Sequence, residues 1–483
     1  MKTVNKRLFC HIAFFVTLLL KVFSQGFTYF PVLDDYIQYG GYPLYDKLSF
    51  VYLEIGTVVT RPFASLADPA LWGQFYPHLW VVLLIICFMF FTGTRLIDEV
   101  FKQLGIHITP FLYAVVLLIP LGFEGTYWIS ASSRICVGIF FSGLASCFLV
   151  NSIRKSRLYL IGYIPCTLLS FGFYESVMVM SAILQFAVIF TLVKSNKKRF
   201  LYLLCPVISG MGMVVYYKLI GNVGALGSRA NGFSLTGIGE RFIELITQYI
   251  EIIVKGGGLT TAKGALEGLK ITFSSPWGIV ALILAVLLSA FCGYFGGKLN
   301  FKAKAKSCVP FGIALIILPL IPNTLSAPVW LTYRSVVVSF FGLVLVSAPL
   351  FALILKNQKA RIAVIFLMVL LFSLGNINEL DTYRHVHETD DKLVTEITRQ
   401  LDSQVLSGNK ETIVVLEEEI ITPQVSYYKD HVKSVFDSDW ALTGAVRAKA
   451  RNVKIKMITP VFSLDGVDTQ GKQIIYIGGN NEK

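Results

Sequence analysis

The chain has 483 residues, 54% of them apolar and only 15% charged, with a mean hydropathy of +0.64. Soluble domains carry about 25% charged residues, so this composition excludes an ordinary soluble protein and predicts many membrane spans. The net charge of +13 does not mark a nucleic-acid surface, because its placement follows membrane topology.

The first segment, MKTVNKRLFCHIAFFVTLLLKVF, has a basic start and an apolar run. Lys21 interrupts the run and no small-residue cleavage site follows, so a retained first helix is expected rather than a signal peptide. A helix crossing about 30 Å of hydrocarbon needs about 20 mostly apolar residues. Eleven segments qualify: 8–30, 78–94, 106–123, 135–151, 158–174, 176–193, 200–220, 277–297, 307–322, 335–355 and 362–378. Pro110, Pro120, Pro165, Pro206 and Pro349 interrupt several of them, which is tolerable where neighbouring helices satisfy the freed backbone. The eight cysteines lie in or beside these runs without metal-ligand spacing and read as small packing residues.

The connections fix an orientation. The N-terminus and the pieces 95–103, 154–157, 194–199, 298–306 and 356–361 together hold 19 Lys and Arg; the longer loops 31–77, 124–134, 221–276 and 323–334 hold nine. Short cytoplasmic connections carry the positive charge. The N-terminus is therefore expected inside, and the long loops outside. The runs GGG at 256–258 and GG at 296–297 follow no βαβ pattern and read as loop flexibility rather than nucleotide binding.

Eleven spans leave the C-terminus outside, where residues 379–483 are more polar. ETIVVLEE and KQIIYIG are expected as buried strands. HETDDKLVTEITRQLDSQVL and ALTGAVRAKARN are expected as helices, the first amphipathic. The expected architecture is thus mainly α: a transmembrane domain, 1–378, with exterior loops 31–77 and 221–276, then a small extracytoplasmic α/β domain, 379–483.

The first exterior loop begins FPVLDDYIQYGGYP, with Asp34 and Asp35 adjacent. Carboxylates so close to a span are costly unless used. The loop continues aromatic and half apolar, and LSFVYLEIG has the pattern of a helix lying in the interface. A loop that hugs the membrane with paired acids at its root suits a substrate whose head group stands just above the bilayer.

With these features the chain resembles the GT-C membrane glycosyltransferases. More narrowly, it looks like the bacterial branch of serotype-converting O-antigen glucosyltransferases. The matching pieces are FPVLDDYIQYGGYP, TRPF at 60–63, SFGFYES at 170–176 and LDTYRHVHETDD at 380–391. Thr60 stands before Arg-Pro where Gly would be expected in that branch. The resemblance implies a polyprenyl-phosphate-linked sugar, a hexose such as glucose, as donor. It implies an envelope glycan or lipid-linked oligosaccharide as acceptor, in the bacterial cytoplasmic membrane. Some enzymes of this plan hold a divalent cation, Mg or Mn, at the acidic motif and others hold none; the residues do not decide between them.

Such a transfer needs a base for the acceptor hydroxyl. Asp34 or Asp35 is assigned that role, each raising the pKa of the other. The leaving lipid phosphate needs positive charge or oriented donors. The exterior arginines Arg61, Arg134, Arg229, Arg241 and Arg334 are candidates, because guanidinium matches phosphate bidentately. Glu124 is a second candidate acid, with Tyr127 and Trp128 beside it placed to stack on a sugar; Glu175 is a weaker candidate. His385, His387, Asp390 and Asp391 look like a metal cluster but read as a polar linker. The alternative from another class is a transporter or flippase of lipid-linked sugars, which predicts internal repeats and ionisable residues near the bilayer midplane.

Overall fold

The computed structural model describes residues 2–40, 61–220, 237–325, 329–416 and 432–477. Among them, eight helices are long and apolar enough to cross a membrane, by length and composition. Six are α2 (Leu79–Gln103), α5 (Ile129–Arg154), α7 (Glu175–Leu192), α8 (Asn196–Ile220), α11 (Pro276–Gly297) and α14 (Gln358–Gln400). The other two run through Ala305–Thr324 and Tyr333–Ile354, built on α12 (Ala305–Ile317) and α13 (Phe340–Ile354) with 3-10 turns attached. The architecture is that of a multi-pass membrane protein.

Three of the expected spans depart from that count. α1 (Lys2–Phe23) ends well before residue 30 and carries Lys2, Lys6, Arg7 and Lys21. The segment 158–174 forms the shorter α6 (Leu160–Phe173). The segment 106–123 is broken. α3 (Thr109–Leu118) stops before Pro120, the chain bends by 53°, and the short α4 (Phe123–Tyr127) follows. Proline has no N–H to continue the ladder, so the carbonyls before it need other donors. Lys21 Nζ donates to the Leu117 carbonyl at 3.1 Å and Asn376 Nδ2 to the Leu118 carbonyl at 2.6 Å. Lys21 is therefore buried inside the bundle; it does not snorkel to the surface.

α5 is the hub, packed against α2, α6 and α7, while α14 packs on α11 and on α10 (Gly257–Phe273). The two glycine runs are helical, not loops. Gly256–Gly258 joins a π-helical turn to α10, and Gly296–Gly297 closes α11 against α14. A Cβ on Gly297 would fall 2.4 Å from Ile362 Cγ1, so a small residue is needed for this close helix crossing.

The basic connections gather at one end of the bundle. Arg7 lies 3.8 Å from Glu99, Arg154 bonds Gln103, and the main chains of His107 and Lys302 exchange two hydrogen bonds of 2.8 Å. Arg361 donates to the Gly297 carbonyl, and Tyr202 to that of Ser152. The long loops meet at the other end, where Arg61 reaches Glu175, Arg134 reaches Asp68 and Glu124 reaches Arg334.

α14 is 43 residues long, about 65 Å at 1.5 Å per residue. The span 362–378 and most of the amphipathic helix expected over 387–406 are one helix, because no Pro or Gly follows Gly375 before its end at Gln400; Ser403–Leu406 forms a separate short turn. Its far half carries the C-terminal unit. There β1 (Thr412–Leu416) lies between β2 (Ile458–Val461) and β3 (Gln473–Ile477), parallel to both. α15 (Asp439–Ala450) lies between β1 and β2 in the chain. β1, β3 and α15 fall where the sequence predicts them.

Candidate functional site

The segment after α1 holds the acidic pair. Leu33 adopts φ +44°, a left-handed backbone that costs a branched residue free energy and concentrates where the surroundings enforce it. The next two residues turn into a π-helical turn, Tyr36–Gly40. Asp35 then points inward and is fully buried. Its Oδ2 accepts from the Tyr29 hydroxyl at 2.5 Å and the Val32 N–H at 3.2 Å. Its Oδ1 accepts from the Ser130 N–H at 3.2 Å and the Ser130 hydroxyl at 2.7 Å. Ser130 stands in the first turn of α5, whose N–H groups lack helical partners and favour negative charge. Asp35 thus ties the first loop to the hub helix.

Burial pushes the Asp35 carboxyl up to about 7; its hydrogen bonds oppose this, and the charge of Asp34 contributes least. The mutual raising expected of the acidic pair is therefore minor beside burial. Asp34 beside it is half-buried. Of the two, Asp34 is the less buried carboxylate.

Arg134 is one α-helical turn beyond Ser130. Its Nη2 lies 2.6 Å from Asp68 Oδ2 and 3.3 Å from Gln38 Oε1, and its Nη1 donates to the Ser130 carbonyl and the Ser133 hydroxyl. Tyr39 donates to Asp68 Oδ1 at 3.2 Å. Arg134 was expected as a phosphate holder at a helix end; it is instead buried with its fork engaged, because Asp68 and the 36–40 turn fold over it.

Arg61 and Arg334 remain partly exposed. Arg61 Nε lies 3.1 Å from both oxygens of Glu175 and its guanidinium stacks 4.4 Å from the Tyr174 ring. Glu175 opens α7, a position where the helix dipole favours an acid. Glu124 is buried, accepts the Arg334 N–H at 3.2 Å, and lies 3.8 Å from Arg334 Nε. The Arg334 guanidinium sits 5.1 Å from the Trp128 ring.

Tyr127 and Trp128 do not form the expected sugar platform, for both are buried. Tyr127 packs among Tyr29, Phe123 and Tyr383 and accepts the Phe30 N–H; Trp128 faces Arg334. The break at Pro120 turns these rings into the bundle. Arg229 and the 41–60 part of the first loop, including LSFVYLEIG, lie outside the described residues. Arg241 is buried in α9 (Ile238–Glu251).

The C-terminal unit closes over the turn that follows the acidic pair. α15 packs on 36–40 so closely that a Cβ on Gly444 would lie 2.4 Å from Ile37 Cγ1, and one on Gly40 would lie 2.7 Å from the Ala448 Cβ. His387 Nδ1 is 3.0 Å from the Tyr36 hydroxyl. Asp390 accepts from the Ser434 hydroxyl at 2.6 Å and the Val435 N–H at 3.0 Å, and Asp391 pairs with Lys449 at 2.7 Å. Of the four residues read as a polar linker, His387, Asp390 and Asp391 are docking contacts on a continuous helix, whereas His385 bonds Asp381 of its own helix. Among the described residues, no three His, Cys, Asp or Glu side chains gather to hold a metal ion. Among the described residues, Asp35, Asp68, Glu124 and Glu175 each accept from protein donors.

Tyr29, Ser130, Asp68 and Lys21 were not singled out from sequence as site residues. Asp68 had one signal, an acid in a half-apolar stretch, but nothing in the sequence paired it with Arg134. No family model matches the chain, and no curated protein sequence matches it either.

Proposed function

We propose that the chain is a membrane glycosyltransferase, passing a hexose from a polyprenyl-phosphate donor to an envelope glycan on the extracytoplasmic face. In this scheme eleven segments span a bacterial cytoplasmic membrane, with α1, the bent α3–α4 pair and α6 completing the eight long spans. The N-terminus is inside, because the basic connections share one end, and the carboxylate cluster faces out.

One observation carries the proposal. At the end opposite the basic connections, Asp34 is left half-buried on a strained turn, while Asp35 beside it is locked by four hydrogen bonds. A fixed carboxylate beside one that keeps part of its surface exposed suits a positioned base. In the step, the acceptor oxygen bonds to the anomeric carbon and its proton passes to Asp34. The bond from that carbon to the phosphate oxygen breaks, and the electron pair leaves on the lipid phosphate. Arg61 and Arg334, the partly exposed guanidiniums, hold the charge that develops there. Asp35 acts through position, not contact with substrate. An outward-facing site needs a membrane-borne donor, since nucleotide sugars are cytoplasmic.

The test uses purified full-length chain in membranes supplied with radiolabelled polyprenyl-phosphate hexose and an envelope glycan acceptor. Label is expected in the glycan with the wild type and absent with Asp34→Asn. Label that crosses the bilayer still attached to its lipid, with none in glycan, identifies a transporter instead.

A further inference from the structure

A large cavity lies at the opposite end from the carboxylate cluster. It opens between α6, α7 and α8, beside the basic connections, and has a volume of about 930 Å³. Ligand pockets run from about 300 to 1,000 Å³, so it is large enough for a head group and part of a chain. Its rim and its wall differ in chemistry. The rim carries Lys155, Arg157, Lys194 and Lys198, all exposed. No acidic residue lines the cavity, and none of these four side chains has an ion pair among the described residues. By contrast the neighbouring Arg154 and Arg199 are occupied, by Gln103 and by the carbonyls of Val193 and Phe190.

The wall is apolar and open to the side. Ile164, Leu168, Leu201 and Ile208 line it with 42–64% of their surface exposed. Pro165 and Pro206 sit inside α6 and α8 at this level, each removing a helical hydrogen bond and disfavouring a straight, tight helix pair. A soluble anion would use the rim and leave the wall bare. A zwitterionic lipid would use the wall and leave four like charges uncompensated.

We infer that this cavity binds an anionic phospholipid of the leaflet on the basic side, with its phosphate among Lys155, Arg157, Lys194 and Lys198 and an acyl chain along Ile164, Leu168, Leu201 and Ile208. Basic pockets between helices on the positive side of a membrane protein suit this chemistry. The site rests on membrane insertion alone and is independent of the reaction proposed at the other end.

The experiment is native mass spectrometry of the full chain in detergent, with added dioleoyl phosphatidylglycerol, dioleoyl phosphatidylcholine, or inorganic phosphate. The wild type is expected to retain phosphatidylglycerol at least about tenfold over phosphatidylcholine, since each basic residue near an anionic surface contributes about fivefold. Lys155→Gln, Arg157→Gln, Lys194→Gln and Lys198→Gln together should abolish that preference. Leu168→Trp, which fills the wall without changing charge, should lower retention of the lipid about tenfold. A control, Lys302→Gln with Lys304→Gln and Lys306→Gln, removes equally exposed charge outside the cavity and should change nothing. Unchanged retention in either cavity variant overturns the site. So does an equal loss in the control, which assigns binding to general surface charge, and so does displacement of the lipid by millimolar inorganic phosphate.

Discussion

Arg134 Nη2 lies 2.6 Å from Asp68 Oδ2, and both side chains are shut away from solvent. The pair joins the hub helix to the second half of the first long loop, so the loop is anchored twice on α5, by Asp35 at Ser130 and by Asp68 at Arg134. Removing one partner of a buried pair leaves an uncompensated charge and costs about 3–5 kcal/mol, whereas replacing both with apolar residues of similar size is often close to neutral. Asp68→Ala and Arg134→Ala should each lower the thermal unfolding temperature in detergent strongly, and Asp68→Leu with Arg134→Met should lower it less than either. Single variants that unfold like the wild type would show that the pair does not hold the loop.

The two aspartates should separate by substitution. Asp34→Asn, at the less buried of the two, is expected to disturb unfolding less than Asp35→Asn and to cut glycosyl transfer by about 10²–10⁴, the scale of a lost general base. Asp35→Asn should lower both stability and transfer, because one oxygen that accepts two donors becomes an amide. Full transfer by Asp34→Asn, measured with the labelled donor, would remove Asp34 from the chemistry.

Asp35 also predicts a pH dependence with a definite sign. Its carboxyl is raised by burial from its usual 3.8 to about 7. Between those values the folded chain holds a proton that the unfolded chain has released, so stability from this group is complete below about pH 4 and is lost as pH rises through about 7. The wild type should therefore lose unfolding temperature relative to Asp35→Asn across that window. Parallel curves for the two proteins would refute the assignment.

Of the described candidate arginines, Arg61 and Arg334 are partly exposed, and each pairs with one acid. Arg61→Ala and Arg334→Ala are expected to lower kcat/KM for the lipid-phosphate donor by about 10²-fold. Arg61→Lys keeps the charge but loses the fork, and should recover only part of that loss. Glu175→Gln should change unfolding little, since a partly exposed pair contributes about 0–1 kcal/mol. Steady-state kinetics with varied donor would expose a purely structural Arg61, because kcat/KM would then follow folded protein alone.

The C-terminal unit meets the loop through atoms that leave no room. A side chain at residue 444 collides with Ile37, so Gly444→Val should lift α15 from the 36–40 turn while β1, β2 and β3 persist. Hydrogen exchange at residues 36–40 should rise, and transfer should fall. If exchange there is unchanged, the unit does not clamp the loop.

Much of this molecule was legible in its residues. Apolar runs of membrane length mark helices whatever their neighbours, and the uneven spread of Lys and Arg matched the end at which each connection is found. β1, β3 and α15 followed from local pattern for the same reason. The absence of Pro and Gly after residue 375 was equally readable, yet the polar shift at 379 suggested a boundary where the helix continues unbroken.

What only the tertiary structure decided is the use of each polar side chain. Asp34 and Asp35 are alike in sequence, and the left-handed turn at Leu33 sends one to the hub helix and leaves the other half-buried. Tyr127, Trp128 and Arg134 were expected to meet a substrate, but the break at Pro120 and the approach of Asp68 turned them inward. Helical periodicity and charge distribution are local properties and can be read along the chain. Which donor meets which acceptor depends on segments up to hundreds of residues apart, as Arg334 and Glu124 or His387 and Tyr36 are, and that pairing exists only once the bundle has packed.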